Sequence, residues 1–551
     1  MNTFIRKNVK LYIMKILIEE ALYEKLVEEN TMLKNQISML INENIELKAQ
    51  LKNAIEKITL LTKEKWCPSS EKIDLDNNII NKAECINDSN EENIELERIT
   101  YLRRKKGVKG KKLDNIPVEV VEYYLTGEQL KCPNCDNGIL EVMKKEIRRE
   151  LIYIPAVFKV KEHVIWVYSC RKCSLYGENA TIIKAEPPAA LIPKSIASAS
   201  LLAYILYEKY IMATPLYRLE KHFYRFDIEL SRQVLASWVI KVAENHLVKI
   251  YNLMKELLLE KNVIYSDDTE VQVLKEPGRK AKTKSYMWVY LTVIKEKIIL
   301  FEYTQTRARK HPENFLQGFS GFMHVDGYSS YEKIEGVILV GCFAHARRKF
   351  LEAINVLPKS KRTSDVASVI GFTYCNKLFI IENKIIKEIE KEFGENCDRF
   401  DEKVVKKIFE LRKELSQPIL DAFKNWLDSV KPISAPESVL GKAVTYCLNQ
   451  WNKLIKFMVD GRLELSNNRS ERAIKNFVIG RKNWNFSDTP SGAAASAIIY
   501  SISETAKENN LNVYKYLYYI LEALPDIKEE NLAVLLPWSN KIPEDIKMNS
   551  S

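Results

Sequence analysis

Val263-Ile264-Tyr265-Ser266-Asp267-Asp268-Thr269-Glu270-Val271 is a run of strand-forming residues with acids set into its middle. Branched and aromatic side chains favour a pleated strand, and the pattern extends over 262–274. A carboxylate held inside a buried strand is costly without a cation, so Asp267 calls for a metal or a basic partner. The bland reading is that it sits at a strand end in water. Asp268 and Glu270 compete with Asp267 for any role, since either can simply be solvated or capping.

Working outward, 284–293 and 298–306 read as two more strands separated by short charged turns, which predicts an antiparallel meander. A short helix is expected over 311–319. Gly321-Phe322-Met323-His324-Val325-Asp326-Gly327-Tyr328 then returns to a strand that ends on Asp326, and 337–343 is the fifth. Three strands, a helix, a strand, a helix-like segment and a strand is the order of an RNase H-like α/β fold. Its first and fourth strands are neighbours, which would set Asp267 beside Asp326.

A highly charged helical region follows over 344–462 and reads as a long all-helical insertion, about 355–460. Beyond it, 467–478 reads as a helix with Glu471 and Lys475 one turn apart. Either Glu471 ligates a metal while Lys475 faces a phosphate, or the two form a plain surface ion pair. Two strand-borne aspartates and a helix-borne glutamate can hold two divalent cations against a phosphodiester.

Upstream, Leu33, Ile37, Leu40, Asn44, Leu47, Leu51, Ala54, Ile58 and Leu61 step alternately by four and three, a heptad seam within an expected coiled coil at 14–64. Asn44 on an a position favours a parallel homodimer, against the alternative of a lone amphipathic helix. Residues 65–115 are polar and read as a flexible linker ending in a basic tract, 103–112, suited to a phosphate backbone or simply solvated. Cys132 and Cys135, then Cys170 and Cys173, form two CxxC knuckles around strand-like text at 151–154, 158–160 and 164–168. Four thiolates suit a structural zinc in a module at 116–186, and leave no open position for catalysis. The remaining six of ten cysteines are scattered, as expected of reduced thiols.

Over 187–260 the pattern is helical. Pro215 opens one helix, 226–230 breaks it, and Ser231 is placed to cap the next. This is either a helix-turn-helix with Arg232 and Gln233 near its exposed start, or ordinary helical packing.

At 551 residues with 46% hydrophobic content, several domains are expected. Lys and Arg number 84 against 73 Asp and Glu, a net charge of +11, which favours a polyanionic partner without specifying one. No apolar span approaches the roughly 18 residues of a membrane helix. Lys15, Glu19 and Glu20 spoil a signal-peptide core, so no membrane association and a cytoplasmic location are expected.

With these residues in view, the chain resembles the transposases of insertion-sequence family 66. The resemblance is carried by the zipper-like start, both CxxC knuckles, Ile192-Pro193-Lys194, Pro215-Leu216-Tyr217-Arg218, Val325-Asp326-Gly327-Tyr328 and Gly341-Cys342-Phe343-Ala344-His345-Ala346-Arg347-Arg348-Lys349-Phe350. It continues through Ser466-Asn467-Asn468, Glu471-Arg472-Ala473, Ile479-Gly480-Arg481-Lys482-Asn483-Trp484 and Leu535-Leu536-Pro537-Trp538. It implies a DDE enzyme with Asp267, Asp326 and Glu471 as the catalytic triad, holding two Mg2+ or Mn2+ ions over a domain at 261–500. A C-terminal helical segment, 501–551, closes the chain.

The implied reaction is cleavage at the element's ends and strand transfer into target DNA, with accessory transposition proteins as further partners. Arg347, Arg348, Arg472, Lys475, Arg481 and Lys482 are then candidates to contact DNA, with His345 nearby and Trp484 stacking on a base; each also has a plain surface or packing reading. One departure stands out: the family commonly has Asp-Glu-Thr-Pro where this chain has Asp267-Asp268-Thr269-Glu270. It leaves Asp268 as a substitute for Asp267. The competing readings are a DNA-binding protein or repressor with an inactive RNase H-like domain, and a plain nuclease that never joins strands.

Overall fold

In the computed structural model, residues 14, 19, 22, 24–44, 47–48, 51, 158–169, 182–184, 188–394 and 397–548 are described. The chain divides into two units, Met1–Ile86 with Ala189–Ser551, and Asn87–Pro188. In the second, strand β1 (Val167–Ser169) pairs antiparallel with β2 (Ile182–Lys184). The strand expected at 158–160 is absent, and the one expected at 164–168 starts only at Val167. Lys159, Lys161, Glu162 and His163 interrupt any apolar face there, and 159–166 is exposed. The four knuckle cysteines lie outside the described residues.

A five-stranded sheet centres the larger unit. Its strands are β3 (Val263–Gln272), β4 (Lys284–Thr292), β5 (Ile298–Thr304), β6 (Gly321–His324) and β7 (Val337–Val340), in the spatial order β5-β4-β3-β6-β7. The first three form an antiparallel meander, while β6 lies parallel to both β3 and β7. Val263, Ile264, Tyr265 and Ser266 are all buried, as a central strand covered on both faces requires.

Between residue 189 and the sheet lie four α-helices: α1 (Ala199–Tyr210), α2 (Leu216–Tyr224), α3 (Arg232–Val242) and α4 (Val248–Leu259). The chain turns after α2 through Asp227 in the left-handed region, and Ser231 caps α3 by accepting from Val234 N–H. These helices share the unit with the sheet: the Tyr251 hydroxyl donates to Phe301 O at 3.0 Å.

After β5 comes the short helix α5 (Lys310–Phe315), and after β7 comes α6 (Phe343–Asn355). The helical insertion follows as α7 (Ala367–Phe393), α8 (Glu402–Leu415), α9 (Gln417–Val430) and α10 (Val439–Asn449). Arg412 ties it down. Fully buried, its guanidinium forks onto Glu382 and donates to the carbonyls of Phe457 at 2.9 Å and Leu463 at 2.9 Å. This anchors the insertion to the segment that leads back into the sheet layer.

The chain then forms α11 (Asn468–Trp484), α12 (Pro490–Glu508) and α13 (Val513–Ala523). Helix α12 covers the free edge of β5. Phe301 N–H donates to Ser501 Oγ at 2.7 Å, and Thr505 Oγ1 accepts from Ile299 N–H at 3.0 Å while donating to Ile299 O at 2.9 Å. Two hydroxyls one turn apart thus satisfy backbone groups that an edge strand would leave open.

Candidate active site

Asp267 lies on β3 opposite Val289 of β4. On its other side β3 and β6 pair in parallel up to Tyr265 and His324; β6 ends at His324, two residues short of the expected Asp326, which lies in the turn beyond the strand. The turn after β6 is held by Asp326 Oδ1, which accepts from Tyr328 N–H at 2.8 Å. Gly327 is needed within it, because a Cβ there would come within 2.8 Å of the Tyr446 ring.

Glu471 arrives from far along the chain in the first turn of α11. Two bonds from Asn467, the fully buried N-cap, locate that turn: its Nδ2 donates to Ser266 O at 2.8 Å and its backbone N–H to Cys342 Sγ at 3.2 Å. The start of the glutamate helix is therefore fastened to the residue before Asp267. Burial pushes the Asp267 carboxyl up to about 7, the Asp268 N–H pulls it down, and the charges of Asp326, Asp268 and Glu471 push it up again.

Asp268 is differently occupied. Its side chain is 4% exposed and accepts from Arg307 Nε at 3.0 Å and Nη2 at 2.8 Å. Burial raises its carboxyl and Arg307 opposes the rise. The same guanidinium stacks on the Tyr328 ring at 3.3 Å and stands 3.9 Å from Asp326 Oδ2. Sequence reading did not single out Arg307; a lone basic residue just past a strand end carries no motif. At Glu270, where the resemblance sets proline, the chain stays in the ladder opposite Tyr286 and Glu270 pairs with Lys284 at 2.7 Å.

Glu471 faces α6 rather than Lys475, which is exposed. His345 Nε2 is 3.7 Å from its Oε1, and Arg348 Nη2 is 3.4 Å from its Oε2. Burial lowers the His345 imidazole, with Glu471 opposing and Arg348 reinforcing. Oε1 of Glu471 is buried and accepts no hydrogen bond.

The other candidates divide by environment. Arg232, Gln233, Arg472, Lys475 and Lys482 are exposed. Arg347 lies over the Phe379 ring at 5.0 Å, and Arg481 donates to Thr269 Oγ1 at 3.1 Å and to Glu270 O, binding the end of α11 to β3. Trp484 is covered by Lys209 Nζ at 4.0 Å, an internal cation–π contact.

A buried carboxylate oxygen without a partner on Glu471, with exposed basic residues Arg472, Lys475 and Lys482 on the same helix, is chemistry suited to cations and polyanions. Comparison of the sequence with known families agrees: the model described as "Transposase IS66 family" matches residues 194–495. The chain belongs to this transposase family. Residues 129–174 match the zinc-finger binding domain of transposase IS66, a match that covers all four knuckle cysteines and supports zinc there, and 501–538 match the IS66 C-terminal element. Among similar proteins are two from Sinorhizobium fredii (strain NBRC 101917 / NGR234), the uncharacterized proteins y4hP and y4jD. Each is 27% identical, over 429 and 424 residues, covering 74% of this chain and 73% and 78% of their own lengths. Among the described residues of this IS66 family member, no helix is long and apolar enough to cross a membrane.

Proposed function

We propose that this protein is a DNA transposase that cleaves the ends of its element and joins them to target DNA through Asp267, Asp326 and Glu471, on an RNase H-like core. One observation supports the reading: β3, which carries Asp267, pairs in parallel with β6, whose following turn carries Asp326, and Asn467 fastens the glutamate helix to β3. The strand order, an antiparallel meander with two parallel strands added beside its first member, supports the RNase H-like assignment.

The three carboxylates fit two Mg2+ or Mn2+ ions, since hard oxygen donors, a buried unpartnered Glu471 oxygen and mutual repulsion at Asp267 all favour cations. When bound, such ions activate the attacking hydroxyl and offset charge on the scissile phosphate. The chain's own groups do the rest. Arg307 neutralises Asp268 and also lies against Asp326, which leaves Asp267 without a basic partner among these contacts. Arg472, Lys475 and Lys482 on α11 contact the phosphate backbone of DNA, and Arg232 and Gln233 at the start of α3 approach a groove.

The N-terminal helix acts as the dimer contact of a coiled coil over 14–64. Its described part, 24–44, leaves Leu33 and Leu40 55% and 57% exposed in the single chain, a seam suited to a second copy. The linker at 65–115, the zinc module at 116–186 and the helical region at 187–260 then serve to bring DNA to the acidic centre.

The test mixes a pre-cleaved element end, a target plasmid and Mg2+ or Mn2+. Joined product is expected from the wild type. Asp326→Asn lowers joining on the order of 100-fold or more while band-shift affinity for the end is kept. A variant that joins as well as the wild type would overturn the assignment.

A further inference from the structure

Cys342, His345 and Glu471 present a sulfur, a nitrogen and an oxygen that all lie within 4.8 Å of one another. Their placement is built by the backbone. Cys342 is the N-cap residue of α6 and His345 follows three positions later, so one helical turn carries both donors on the same side. Glu471 comes from the first turn of α11, and Asn467 N–H to Cys342 Sγ at 3.2 Å draws the two helix starts together. Arg348 Nη2 donates to Oε2 of Glu471 at 3.4 Å. Oε1, on the His345 side, is buried without a hydrogen-bond partner, and so is His345 Nδ1.

The geometry points to a binding site for one thiophilic divalent ion, Zn2+, held by Cys342 Sγ, a ring nitrogen of His345 and Glu471 Oε1. Donors around one tetrahedral zinc sit roughly 3 to 4 Å apart; His345 Nε2 and Glu471 Oε1 are already at 3.7 Å. Three protein donors leave the fourth position to water, so the ion is exchangeable, unlike one closed in by four thiolates. Binding replaces the thiol proton with a Zn–S bond, and the proton goes to solvent. The donor set differs in kind from the all-oxygen pair Asp267 and Asp326, which suits hard cations. Glu471 is common to both, so zinc at this site takes a carboxylate from the aspartate centre.

The inference concerns metal binding alone, and its test uses neither DNA nor activity. The full-length chain is equilibrated at buffered micromolar free Zn2+ and its bound zinc is measured. Two ions per chain are expected for the wild type, one in the cysteine knuckles and one here. Cys342→Ser and His345→Gln each lower the count to one, as does Cys135→Ser from the other side. His345 is partly exposed, so His345→Gln reads the site even where Cys342→Ser disturbs folding, and its circular dichroism and Tm should match the wild type. A wild-type count of one, or retention of two ions by His345→Gln, would overturn the site. Failure of the transposition reading leaves these counts untouched.

Discussion

Arg307 decides the fate of two neighbouring acids. By donating twice to Asp268 it compensates a carboxylate with a 4% exposed side chain, and it stands 3.9 Å from Asp326 Oδ2. Arg307→Ala therefore strands a buried charge, at a cost of about 2 kcal/mol in urea unfolding. Asp268→Asn in the same chain recovers part of that loss, and a double-mutant cycle measures the coupling. Glu464 supplies the pH dependence. Burial raises its carboxyl, but Arg469 and Arg399 outweigh burial and hold it at about 2. The folded value lies below the unfolded one of about 4.3, so its stabilisation is complete above that pH and is lost as pH falls toward 2. A contribution of about 3 kcal/mol follows, and Glu464→Gln should flatten the acid limb of a Tm-against-pH curve over that window.

At the scale of elements, the edge of β5 shows how a helix substitutes for a strand. Ser501 and Thr505 of α12 satisfy the backbone of Phe301 and Ile299, so the sheet ends against hydroxyls instead of an open ladder. Thr505→Val keeps the shape and removes the polar partner. It leaves Ile299 N–H and C=O unpaired in a buried place, and chemical denaturation should show a loss of about 1–3 kcal/mol. The five strands were legible in the sequence because branched and aromatic runs ended at charged turns: expected at 262–274, 284–293 and 298–306, the first three run Val263–Gln272, Lys284–Thr292 and Ile298–Thr304. Ser231 was equally readable, since a cap is a local signal. Strand text at 158–160 misled because apolar residues alternating with charges resemble a strand even where nothing covers them.

At the scale of the whole molecule, long separations in sequence meet at one place. Ser266 and Asn467 are 201 positions apart, and their bond determines where Glu471 stands. The proposed N-terminal dimer contact is tested by sedimentation. Leu40→Glu sets a charge on an a/d stripe and should shift the protein from dimer to monomer, with the fold of the remaining chain unchanged by circular dichroism.

The sequence by itself determined the strands, the capped helices, the acids worth following and the resemblance to the transposase family, because each is written in neighbouring residues through periodicity, capping or motif. Only the tertiary structure decided that Arg307 holds Asp268, that His345 and Cys342 border Glu471, and that Ser501 and Thr505 close the sheet edge. Those contacts join residues from 39 to 206 positions apart. Their partners are chosen by which surfaces the folded chain buries against one another, and no local pattern records that choice.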